Sequence, residues 1–140
     1  MVDKTGRLRI LIVEDDRDDV FLIKDLINDE LRGSRIDVAT NYDDALEKIE
    51  TKPYDVCLFD YGLGEKNGLD LFRTVKDLDM NVPMIFLSGM GSESLAVKIM
   101  KSGVDDYIPK SEMTSKDLCA SIRRAVRLKM QIDEVISENY

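Results

Sequence analysis

The sequence predicts an α/β domain, a doubly wound five-stranded parallel sheet flanked by five helices. Two observations carry this. Five short apolar runs recur along the chain, and a stretch of helical period follows each of them. The runs are rich in Val, Ile, Leu and Phe, which suits strands covered on both faces of a parallel sheet.

The first run, Leu8–Val13, stops at Glu14-Asp15-Asp16, and 16–31 then carries Val20, Ile23, Lys24 and Ile27 at three- and four-residue steps. Arg35–Ala39 is the second strand. Asn41 can cap the helix Tyr42–Thr51, whose inner face is Ala45, Leu46 and Ile49. The third strand, 55–59, leads through Asp60 into the Gly-rich polar connection 61–66, expected as a mobile surface loop. The helix over 67–78 presents Leu69, Phe72 and Val75. The fourth strand, 82–87, ends in Ser88-Gly89, and the helix over 92–102 presents Leu95, Ile99 and Met100 before Gly103 stops it. The fifth strand, 105–108, leads into Lys110.

The last helix, about 115–136, is longer than the fold requires. Ala125, Leu128, Ile132 and Val135 make a coiled-coil-like seam along it. In the plainer reading, Leu118, Ile122, Ala125 and Val126 pack on the sheet and the rest is a charged tail. All 140 residues are expected to form one domain, with a core over about 7–127 and 128–140 as a helical extension.

Composition narrows the function. Twenty basic residues stand against 28 acidic ones, a net charge of −8, which disfavours direct contact with nucleic acid or anionic membranes. The absence of histidine removes imidazole catalysis and imidazole zinc sites. Cys57 and Cys119 share no metal-binding spacing, and Cys57 sits in an apolar run as a buried thiol, in keeping with a reducing cytosol. No apolar stretch approaches the roughly 20 residues of a membrane span. A cytoplasmic location is expected.

In an open parallel sheet, ligands bind beyond the carboxyl ends of the strands, where the winding reverses. With strand order 2-1-3-4-5, the acidic ends of the first and third strands share one crevice, while the second ends in Ala39-Thr40 with nothing comparable. Crowded carboxylates such as Glu14, Asp15 and Asp60 repel unless a cation neutralises them. Oxygen-only ligands suit Mg²⁺. Beside that ion, a carboxylate at a strand end can attack a phosphoryl group and become an aspartyl phosphate. Lys110 can neutralise the phosphate oxygens and the Ser88 hydroxyl can donate to one of them. Asp16, Asp18 and Asp19 read as helix-start residues that favour the helix dipole. Singly, each site residue also has a plain reading as a turn former or a solvated charge. Their joint placement is what points to chemistry.

At these residues the chain resembles the receiver domain of two-component response regulators, over nearly its full length. The similarity lies in Ile10-Leu11-Ile12-Val13-Glu14-Asp15-Asp16, in 54–63 around Asp60, in Asn67-Gly68, in Pro83–Gly89 with Ser88, and in Gly103–Lys110. The resemblance implies a flavodoxin-like receiver fold. It implies that Asp60 takes phosphate from a phosphohistidine on a histidine kinase or phosphotransfer protein. Mg²⁺ would be held by Asp15, Asp60 and the backbone carbonyl of Gly62, with Glu14 acting largely through water. Ser88-Gly89, Tyr107 and Lys110 would bind the phosphate and form the switch, which repacks the fourth helix–fifth strand–fifth helix face. That face or the C-terminal helix would serve a homodimer, an output partner or an attached output domain.

Three departures from the family pattern stand out. Gly64 stands where many members of the family have proline, which predicts a looser loop after Asp60. Ser88 replaces the commoner threonine. The family usually follows its lysine with a proline in a cis bond, whereas here Pro109 precedes Lys110 and Ser111 follows it. The Lys110–Ser111 bond is therefore expected to be trans, which puts the reach of the lysine in question. Gly62 and Met90 fall where side chains would screen an acyl phosphate from water.

A Mg²⁺-dependent phosphohydrolase would want a second acid two residues after Asp60, and Gly62 is there instead. A flavodoxin-type cofactor site would meet repulsion from the acidic run 14–19. A receiver that docks or dimerises without phosphate remains the alternative to the phosphoacceptor.

Overall fold

The computed structural model describes residues 7–63, 66–89 and 93–138. The strands β1 (Arg9–Val13), β2 (Arg35–Ala39), β3 (Val56–Asp60), β4 (Met84–Ser88) and β5 (Asp106–Pro109) alternate with α1 (Arg17–Glu30), α2 (Tyr42–Thr51), α3 (Gly68–Asp77), α4 (Glu93–Lys101) and α5 (Ser115–Glu138). The five strands form one parallel sheet in the order β2-β1-β3-β4-β5. The winding reverses between β1 and β3, as the sequence predicts.

Alternation along the strands divides the core in two. Leu11, Val13, Cys57, Phe59, Met84 and Phe86 face α2, α3 and α4, meeting Ala45, Ile49, Leu69, Phe72, Val75 and Ile99. Ile10, Ile12, Val56, Leu58, Ile85, Leu87 and Ile108 face α1 and α5, meeting Ile23, Ile27, Leu118, Ile122, Ala125 and Val126. Both faces of the three central strands are closed to water, which explains their unbroken apolar runs.

The helix ends follow from local chemistry. Asp16 and Asn41 cap α1 and α2 through their side-chain oxygens, and Asn67 with Asp70 forms a reciprocal capping box on α3. α3 ends in a Schellman arrangement: Met80 N–H donates to Val75 O at 3.1 Å and Asp79 N–H to Lys76 O at 3.0 Å, with Asp79 at φ 57°. Gly103 follows α4 at φ 96°, the left-handed conformation expected of its stop.

Several expectations change. The connection after Asp60 is not simply a loop: Gly62–Leu63 pairs antiparallel with Lys66–Asn67, and Gly68 N–H donates to Tyr61 O at 2.7 Å. Polar, Gly-rich composition hid this short ribbon. Met100 does not line the core but is 48% exposed, because α4 is short and turns only Ile99 fully inward. Gly64 and Met90, and the start of the helix at Ser92, lie outside the described residues. No peptide bond among the described residues is cis, so Lys110–Ser111 is trans. A 3₁₀ turn over Lys110–Glu112 carries the chain from β5 towards α5.

α5 is one continuous helix. Ala125 is buried, whereas Leu128, Ile132 and Val135 are exposed, so the expected seam separates into a core-facing start and an open apolar continuation. No helix among the described residues is long and apolar enough to cross a membrane. Cys57 and Cys119 are both free and buried.

Candidate functional site

The residues singled out by sequence come from the carboxyl ends of β1, β3, β4 and β5. Register explains how. Val13 pairs with Phe59, which sets Glu14 beside Asp60. Asp60 pairs with Leu87, and Leu87 with Ile108, so Lys110 emerges two residues beyond that row. Glu14, Asp60 and Lys110 continue the alternation of Ile12, Leu58 and Ile108, the residues facing α1 and α5.

Glu14, Asp15 and Asp60 each bring a carboxylate oxygen to within 4.8 Å of the others. Glu14 is 2% exposed and anchored by its N–H to Ala39 O at 2.9 Å, Asp60 is partly covered, and Asp15 is open to solvent. Lys110 reaches into this group despite the residues that flank it. Its Nζ stands 2.6 Å from Glu14 Oε2, 2.8 Å from Asp19 Oδ2 and 3.4 Å from Asp60 Oδ1.

Burial raises the Asp60 carboxyl above its ordinary value, with Lys110 pulling against the shift and Asp15 adding to it. Burial likewise raises Glu14, opposed by its hydrogen bond from Lys110 and reinforced by the charge of Asp60. Burial works against the Lys110 ammonium, but the Asp19 and Glu14 hydrogen bonds and the Asp60 charge outweigh it and hold the lysine charged. The acidic pocket thus carries more negative charge than its lysine balances. Convergent oxygen donors with an uncompensated desolvation cost are what a hard divalent cation relieves, so the donor set fits Mg²⁺.

The remaining predicted residues surround this centre. A Cβ built at Gly62 would stand 3.7 Å from Asp60 Oδ2, which sets Gly62 against the carboxylate. Ser88 is buried at the end of β4, level with Pro109. Gly89 runs beside the Lys110 stem, and Tyr107 packs partly buried against the α2–α4 side of the core.

Two residues matter more than their sequence suggests. Asp19, read as a helix-start acid, is an ion-pair partner of Lys110. Gly68 lies under the end of β3, where a Cβ would meet Asp60 O at 2.5 Å, the Phe86 ring at 2.8 Å and the Phe59 ring at 2.9 Å. The position of Gly68 at the start of α3, directly after the capping asparagine, was the available signal. Asp19 had none, since Lys110 is 91 residues away.

Comparison with known proteins agrees with this architecture. The response regulator receiver domain family matches residues 10–123. The chain is 34% identical over 120 residues to the transcriptional regulatory protein DltR of Streptococcus agalactiae, covering 86% of this chain and 52% of that one. It is 31% identical over 111 residues to the chemotaxis protein CheY of Thermotoga maritima, covering 77% and 89%. The chain spans about half the length of the transcriptional regulators it matches. Among solved structures, the signal receiver domain of a putative Luxo repressor protein from Vibrio parahaemolyticus superposes with a TM-score of 0.83 at 26% identity, covering 92% of this chain and 97% of that one. A CheY-like receiver domain protein from Methanospirillum hungatei gives a TM-score of 0.77 at 27% identity, covering 89% and 98%.

Proposed function

We propose, from the premise that this chain belongs to the response regulator receiver domain family, that Asp60 accepts a phosphoryl group from a partner's phosphohistidine. The observation that carries the reading is the gathering of Glu14, Asp15 and Asp60 oxygens within 4.8 Å, with Lys110 Nζ 3.4 Å from Asp60. In the transfer, an Asp60 carboxylate oxygen bonds to phosphorus as the bond from phosphorus to the histidine nitrogen breaks, and the electron pair leaves with the imidazole. Glu14, Asp15, Asp60 and the Gly62 carbonyl would hold Mg²⁺, which when bound neutralises the carboxylates and the incoming phosphate oxygens. Lys110 and the Ser88 hydroxyl meet the new phosphoryl oxygens, with Gly89 letting the chain pass close to the lysine stem.

Movement of Ser88 towards the phosphoryl group frees space that the Tyr107 ring turns to fill, biasing the α4–β5–α5 face between two packings. α4 exposes Val97 and Met100, an apolar start for docking an output partner or an attached output domain. The same face, or the open apolar side of α5 over 128–136, would serve a homodimer. The protein acts in the cytoplasm as a regulatory module, not as an enzyme with a separate substrate. Residues 7–127 form the receiver core, and the last turns of α5 extend from it.

Amide NMR spectra before and after addition of Mg²⁺ with trifluoroberyllate, a phosphoryl mimic, test this reading. Shifts should concentrate at Asp60, Ser88, Tyr107 and Lys110 and spread over the α4–β5–α5 face, and should vanish in Asp60→Ala. Unchanged spectra would favour a receiver that docks without phosphate.

A further inference from the structure

Asp19 is the third residue of α1, three positions after the N-cap Asp16. An acid there can turn back to the N-cap's own N–H and complete a capping box. α3 does this: Asn67 N–H donates to Asp70 Oδ2 at 3.1 Å and Asp70 N–H to Asn67 Oδ1 at 2.9 Å. α1 is arranged differently. The Asp16 N–H donates to Glu14 Oε1 at 3.2 Å, and the Asp19 carboxylate instead accepts from Lys110 Nζ at 2.8 Å.

An ammonium has three N–H donors. Glu14 and Asp19 take the two short contacts, at 2.6 and 2.8 Å, while Asp60 Oδ1 stands back at 3.4 Å. The cation that must meet the phosphoryl oxygens is therefore held most closely by two other acids. Glu14 is buried and fixed through its backbone. Asp19 lies at the rim with its side chain 37% exposed, so its carboxylate can give up the lysine and return to water at lower cost.

We propose that Asp19 is a positioning residue that holds the Lys110 ammonium back from Asp60 before phosphorylation. Phosphoryl transfer then exchanges the Lys110–Asp19 ion pair for one between Lys110 and the phosphoryl group. This rests on the reading of Asp60 as phosphoacceptor. Asp19 makes and breaks no covalent bond. Its charge sets how freely the lysine can turn.

The test compares Asp60 labelling by a small acyl phosphate with Mg²⁺ in the native protein, Asp19→Asn and Asp19→Glu. In that reaction the Asp60 oxygen bonds to phosphorus, and the acyl carboxylate leaves with the electron pair of the broken bond. Asp19→Asn keeps the shape and removes the charge, and should raise the second-order labelling rate about threefold or more. Asp19→Glu should stay near the native rate. A second readout is thermal unfolding without metal: the Tm changes of Asp19→Asn and Lys110→Met should be non-additive in the double variant.

A native or slower rate in Asp19→Asn overturns the proposal, as does a faster rate that Asp19→Glu shares. Additive Tm changes also overturn it, because Asp19 would then act without Lys110. In each case, native labelling that requires Asp60 leaves the phosphoacceptor reading standing. Absence of Asp60-dependent labelling in the native protein overturns both.

Discussion

Replacing Asp60 with Asn will make the metal-free protein more stable, although Asp60 stands at the centre of the site. The Glu14 and Asp60 oxygens lie within 4.8 Å, and at an effective dielectric of about 20 two unit charges at that distance repel by about 3.5 kcal/mol. On the same scale Lys110, 3.4 Å from Asp60, attracts by about 4.9 kcal/mol. Solvent-exposed Asp15 adds a smaller, screened repulsion. The charge pairs nearly cancel, which leaves the desolvation of a carboxylate with only 15% of its side chain exposed. Asn has nearly the same shape and no charge, so the expected gain is about 1–2 kcal/mol. For a domain of this size that is about 3–8 °C in Tm. Circular dichroism melts in EDTA at neutral pH measure it. Mg²⁺ should narrow or reverse the ranking, since the native protein gains about 1.4 kcal/mol at ten times its Kd and the Asn variant much less. An Asp60→Asn protein that melts below the native one in EDTA would show the opposite balance, with the Lys110 ion pair outweighing the cost of burial.

Folding raises both Glu14 and Asp60 above their ordinary values of 4.5 and 3.8, so the native state holds these protons more tightly than the unfolded chain. Their contribution to stability is present below the ordinary range and lost as pH rises through the raised values; Tm against pH in EDTA should show this loss, and Asp60→Asn should reduce it. Gly68→Ala should cost about 1–3 kcal/mol by overpacking, measured by urea unfolding, because two aromatic rings and the Asp60 carbonyl leave no room for a methyl group. Asp79→Gly should stabilise by about 0.5–1 kcal/mol in the same assay, since Asp79 holds φ 57° at the end of α3.

What the sequence made legible follows from local rules. Asn41 before an amphipathic run specifies α2, and Tyr42–Thr51 matches it to the residue. The three central strands are apolar because both of their faces are covered. β2 keeps its expected span Arg35–Ala39, while the other strands shift by one or two residues at an end, β3 running Val56–Asp60 where the apolar run is 55–59. The strand order by itself brings Glu14, Asp60 and Lys110 to one end of the sheet. Register adds what composition could not: Val13 opposite Phe59 sends Glu14 and Asp60 to one side of the sheet. Residues defined by distant partners stayed hidden. Asp19 shares its local pattern with a capping box, and only the arrival of Lys110 from β5 distinguishes the two. The ribbon after Asp60 has two residues on each side, too few for an alternating pattern. Met100 directly follows buried Ile99, which turns it about 100° around α4 and leaves it facing outward.

Asp60 is proposed to accept a phosphoryl group with the help of a divalent cation. Intact mass after incubation with a small acyl phosphate and Mg²⁺ tests it most directly, alongside Asp60→Ala and EDTA controls. One gain of about 80 Da is expected in the native protein, and it should disappear in both controls. A native mass that stays unchanged under conditions where another receiver domain labels, or a gain that persists in Asp60→Ala, would contradict it.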